Sequence, residues 1–156
     1  MLTEAEATAR LTFMVAASSE PTLSETDLAE LLAETKRFNF WAASTAVVVG
    51  AVYQPTTANG HRYVCVRDGM TDTTQPTWPT RRDGRVSDGT AMWQEAGPQY
   101  AEQWDLQRAA HWGWMHKAAM IAGDYNFSVD GQSFSRDQAV EHCLAMAAQF
   151  APVVIA

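Results

Sequence analysis

The hydrophobic period of this chain changes twice. At both ends apolar residues recur every three or four positions, the spacing of one helix face. From about Thr45 to Pro98, β-branched and aromatic residues alternate instead, between stretches of Pro, Thr, Asn-Gly and Asp-Gly. One segment cannot serve both periods, so helices built from the two ends must share the chain with a β unit between them.

The first helix is predicted to open at Thr3, which can cap with Glu6, and Leu2 with Ala7 makes a weak hydrophobic staple. Ala7, Leu11, Met14 and Val15 form its buried stripe, ending near Ser18 and Ser19. A second start follows at Ser24, with Leu23 and Leu28 as the staple and Leu28, Leu31, Leu32 and Thr35 as the apolar face. After Pro98, Leu106, Ala110, Trp114, Ala118 and Ile121 make one stripe, and Trp112, Met115, Ala119 and Ala122 a second beside it. A helix this widely apolar is expected to pack on two sides, within a core or against another subunit. Tyr125 to Ser135, centred on Asp130-Gly131, reads as a hairpin, and Ser135 with Gln138 as the capping box of a last helix. That helix carries Val140, Cys143, Leu144, Ala147 and Phe150 on its stripe and stops at Pro152.

In the middle, residues 46–53 read as a strand, and 61–67 as a second with Tyr63 and Cys65 on one face. Residues 90–95 read as the last strand before Gly97-Pro98. The expected fold class is therefore α+β: mainly a helical bundle with a β-hairpin before the last helix and an inserted small antiparallel β domain. Its parts are an N-terminal helical pair (1–43), the inserted β module (44–98), and the C-terminal helices, hairpin and tail (99–156).

Composition limits the function classes. With 47% hydrophobic and 19% charged residues the 156-residue chain has enough apolar surface for a packed core. A net charge of −7 is opposite in sign to the basic patch that grips nucleic acid through phosphates. Cys65 and Cys143 stand in apolar runs and read as buried thiols of a reducing compartment. No apolar stretch reaches the length of a membrane span, and the start lacks the pattern of a signal peptide, so the expectation is a protein used without secretion and without a membrane.

The residues offer little chemistry. No glycine-rich phosphate loop is present. His111 and His116 are five residues apart, which separates them by about 140° around a helix, unlike a metal-binding pair at spacing four. His61 and Cys65 share a strand face but have no evident third group to orient them. The expectation is a protein that is not an enzyme and needs neither cofactor nor metal. In the β unit, Tyr53, Tyr63, Trp78 and Trp93 read either as a miniature core or as a stacking face for a sugar ring or a protein, with Tyr63, Trp78 and Trp93 the candidate contacts.

Three C-terminal stretches carry a resemblance. They are Ala109-Ala110-His111-Trp112-Gly113-Trp114-Met115-His116-Lys117, then Tyr125-Asn126-Phe127-Ser128-Val129-Asp130-Gly131-Gln132-Ser133-Phe134, then His142-Cys143-Leu144-Ala145-Met146-Ala147. Together with the opening Leu2-Thr3-Glu4-Ala5-Glu6 and the Pro21-Thr22-Leu23-Ser24 helix start, they resemble the head-to-tail connector (adaptor) proteins of tailed bacteriophages. The hairpin is the most specific part, and the likeness covers both ends of the chain. The middle departs from it: residues 44–98 look like small virion modules with Asp-Gly-Thr-x-x-Trp endings, here Asp88-Gly89-Thr90-Ala91-Met92-Trp93.

The resemblance implies a structural virion protein made in the host cytoplasm and placed in the neck. Such proteins form a ring of about twelve copies, under the portal protein at one face and against a stopper or tail completion protein at the other, with DNA passing through unbound. It implies that Trp112, Trp114, Met115, Phe127 and Phe134 serve the subunit interface or core. Pro152, Val153, Val154 and Ile155 would dock on the portal by adding a strand or filling a groove. The alternative is a carbohydrate-binding module on a helical carrier.

Overall fold

Thr3 and Ser24 start the first two helices as their spacing predicts. Each side chain accepts the backbone N–H three residues on, and Glu6 and Asp27 reach back to the cap N–H at 2.8 Å in both cases, closing two capping boxes. These helices are α1 (Glu4–Met14) and α2 (Glu25–Glu34). The computed structural model describes residues 1–123 and 136–152, and within them the chain forms two compact units. One is residues 37–103 with Met1. The other joins residues 2–36 to 104–123 and 136–152.

The helical unit adds α3 (Leu106–Gly123) and α4 (Arg136–Gln149) to the first pair. Ala7, Leu11 and Val15 of the first segment, Leu28, Leu31 and Leu32 of the second, Ala110, Trp114, Ala118 and Ile121 of α3, and Cys143 and Ala147 of α4 make one core. Gly113 lets α1 and α3 approach closely: a Cβ there would stand 2.6 Å from Val15 Cγ1. The end of α1 leaves carbonyls without helical partners. Side chains from α3 donate to this end and to the turns after it: Trp114 Nε1 to Met14 O at 3.1 Å, and Lys117 Nζ to Ala16 O at 2.6 Å and Ser19 O at 3.1 Å. Lys117 is 1% exposed, and its Nζ also lies 4.8 Å from the centre of the Trp114 ring. Burial pushes its ammonium below the usual lysine range. Leu144, expected on the α4 stripe, is 43% exposed.

The middle of the chain overturns the expectation of a mainly helical bundle. Its strands are β1 (Asn39–Phe40), β2 (Ala46–Val47), β3 (Val52–Gln54), β4 (His61–Arg67), β5 (Gly69–Met70), β6 (Arg85–Asp88) and β7 (Ala91–Pro98). Five form a sheet in the order β1-β3-β4-β7-β6, and β2 pairs with β5 separately. The sheet is mixed, not purely antiparallel, because β1 runs parallel to β3. Sequence periodicity could not find β1: two residues are too few to display alternation, so the β unit looked as though it began later, at 44. The strand read over 46–53 is broken as well. Val48 and Val49 are exposed, Gly50 takes φ +92°, and its N–H donates to Cys65 O, so the run of valines turns a corner before β3.

Along β4 and β7 the pleat turns Tyr63, Cys65, Ala91 and Trp93 inward, where Val47 and Tyr53 join them in a second core. The Asp-Gly-Thr-x-x-Trp motif fastens this core. Asp88, 2% exposed, accepts Trp41 Nε1 at 2.8 Å and Trp93 Nε1 at 2.9 Å on one carboxylate oxygen and the Asp72 N–H at 2.8 Å on the other. Gly89 follows at φ +60°, so close to Met70 O that a Cβ would collide with it, and Thr90 Oγ1 accepts the Met70 N–H.

The expected hairpin around Asp130-Gly131, with Phe127 and Phe134, and the tail residues Val153, Val154 and Ile155 lie outside the described residues. Among the described residues, no helix is long and apolar enough to cross a membrane.

Candidate functional site

Among the described residues, the two apolar stripes expected on α3 differ in burial. Trp114 is 5% exposed in the core, whereas Trp112, on the second stripe, is 46% exposed; Met115 beside it is half-buried, and Ala119 and Ala122 face outward. Trp112 and Met115 form one wall of a groove of about 330 Å³, with Leu31 of α2 facing them. Its rim is acidic. Asp27, Glu30 and Glu34 succeed one another along α2 at the spacing of one helix face, and among the described residues the one basic side chain lining the groove is His116, whose Nε2 stands 3.7 Å from Asp27 Oδ1. Hydrogen bonds from the Ser24 backbone N–H and hydroxyl hold the Asp27 carboxyl below its ordinary range, and His116 adds to the effect. An apolar wall beside three carboxylates suits an apolar side chain flanked by a cation.

A second concavity, of about 540 Å³, opens on the β unit beside His61, Arg82 and Glu95. Glu95 is 4% exposed and fully engaged: Oε1 accepts His61 Nδ1–H at 2.9 Å and the Gly97 N–H at 2.8 Å, and Oε2 accepts the Asp83 N–H at 3.2 Å. The His61 hydrogen bond, ahead of the two backbone donors, holds its carboxyl below the ordinary value despite burial. These bonds tie the backbone at Asp83, ahead of β6, and at Gly97, in β7, to the one carboxylate.

The aromatic residues offered as a sugar-stacking face do not present one. Tyr63 and Trp93 are each 0% exposed and Trp78 is half-buried, its ring 4.4 Å from Tyr63 and 5.9 Å from Trp93. With a core as small as this one, they are the largest side chains available to fill it. Trp78 Nε1 is buried with no hydrogen-bond partner among the described residues. His61 and Cys65 are likewise engaged apart, the thiol donating to Arg67 O at 3.1 Å. His111 donates from Nδ1 to Ala147 O at 2.8 Å, on α4, and His116 meets α2, so that pair does not converge. Pro152 is exposed.

Sequence reasoning missed Lys117, Phe13 and the Asp88 hub. Lys117 falls one position before Ala118 on the apolar stripe, where a charge is unexpected. Phe13 is an aromatic residue that lies off the stripe of its own helix, and it is 88% exposed. No protein-family model matches the chain, and neither a curated protein nor a solved structure is significantly similar to it.

Proposed function

We propose that this protein is a structural subunit of the tailed-phage neck: a connector whose copies form a ring between the portal and the stopper or tail completion protein, around the DNA channel. The observation that carries the reading is how the ends of the chain come together. The described N- and C-terminal helices that bear part of the resemblance, separated in sequence by the whole β unit, share one core in one helical unit. That unit leaves Trp112 and Met115 beside an open groove, which favours a subunit contact. A net charge of −7 suits a ring through which DNA slides, since few phosphates would be held. In this reading residues 152–156 engage the portal and the β unit serves as a decoration or neighbour contact.

The test is location. Antibody against residues 37–103, imaged on intact virions by gold labelling, should mark the head–tail junction. Label at the tail tip would favour the carbohydrate-binding alternative, and virions without label would remove the protein from the particle. Deleting residues 152–156 should yield DNA-filled heads without tails; normal tailed particles would take the terminus out of the mechanism.

A further inference from the structure

Phe13 is the most exposed of the large hydrophobic residues described. It lies on the side of α1 turned away from Ala7, Leu11 and Val15, the residues that pack α1 into the helical core. Arg10 stands one turn before it, and Ala9 and Met14 complete a shallow apolar surface around the ring. Glu6 shares this side, but its carboxylate is tied to Thr3 by the capping box. The outer face of α1 is therefore an aromatic knob next to a guanidinium.

The α2–α3 groove is its complement. It offers Trp112 and Met115 as an apolar wall and Glu30 and Glu34, both exposed, as an acidic rim. Because α1 packs on the unit by its opposite side, a copy's own Phe13 turns away from the core it shares with α2 and α3. We infer that copies of this chain dock head to tail, with Phe13 of one copy seated against Trp112 and Met115 of the next and Arg10 paired with Glu30 and Glu34. Knob and groove are different patches, so the contact is heterologous: each copy keeps one of each free to continue the chain, and rotation between copies closes it into a ring. Burying an aromatic side chain together with a charge pair is the composition of an interface hot spot. This deepens the ring reading above and rests on it.

Sedimentation velocity of the full-length protein across a concentration series tests the docking. Wild type should form species larger than a dimer. Phe13→Glu and Trp112→Glu, both at exposed positions, should each be monomeric, and an equimolar mixture of the two should stop at a dimer, because only one intact knob and one intact groove remain per pair. Arg10→Glu should weaken association about tenfold, and adding Glu30→Arg and Glu34→Arg in the same chain should restore it. Circular dichroism identical to wild type ensures that the variants are folded. Wild type that stays monomeric, larger species that persist in both single variants, or a mixture that stays monomeric would each overturn the inference. Portal binding, measured separately on the same proteins, tells this failure from failure of the connector reading: a monomer that still binds portals refutes only the docking.

Discussion

At the residue scale, the Asp-Gly-Thr-x-x-Trp motif gains a physical meaning. Asp88 is the acceptor for two indole N–H groups and one backbone N–H, and Gly89 and Thr90 bring the chain against Met70. The motif thus builds the β unit's core. Asp88→Ala should strip partners from the buried Trp93 Nε1 and from its neighbours and destabilise the β unit by roughly 3 kcal/mol, read as a lowered denaturation midpoint by tryptophan fluorescence. An unchanged midpoint would mean that the hub is dispensable. The motif was legible as letters, but its role was not: Trp41 and Asp88 are 47 positions apart, and no local pattern announces a shared acceptor.

At the element scale, the helices were the most readable part. The Thr3–Glu6 capping box, the Ser24 cap and the Leu23–Leu28 staple, both its residues buried, follow directly from their spacing, while the box that Asp27 closes on Ser24 is seen only in the structure. The short strands were less readable, because β1, β2 and β5 have two residues each and depend on partners distant in sequence. The doubled apolar stripe on α3 was legible, and the structure separates its halves: one in the core, the other beside the groove. Its Gly113 position controls how near α1 can lie. Gly113→Ala should cost about 1–3 kcal/mol by forcing its methyl group onto Val15, even though alanine is the better helix former. Combining it with Val15→Ala should recover part of that loss, so that the two effects are clearly non-additive. Thermal denaturation of the four proteins measures this, and simple additivity would place the two residues out of contact.

At the scale of the whole molecule, the β unit has the features of an insertion into a helical frame. Within it, the Arg37 N–H donates to Gln103 O at 2.7 Å, so its two ends are adjacent. Within the helical unit, Lys36 and Trp104 are bridged in the same way, and the Asp105 N–H donates to Thr35 O at 3.0 Å. Replacing residues 37–103 with a short Gly-Ser link should therefore leave a folded helical unit, and residues 37–103 alone should fold too, each giving a cooperative melt and dispersed amide spectra. Loss of structure in either piece would mean that the cores depend on one another. The central proposal, that this helical unit builds a ring on a portal, is tested most directly by native mass spectrometry of the full chain mixed with a tailed-phage portal protein from the same genome. The account predicts a discrete complex carrying many copies of the chain on each portal, reduced to bare portal when residues 152–156 are removed. A chain that remains monomeric and leaves the portal mass unchanged would contradict it.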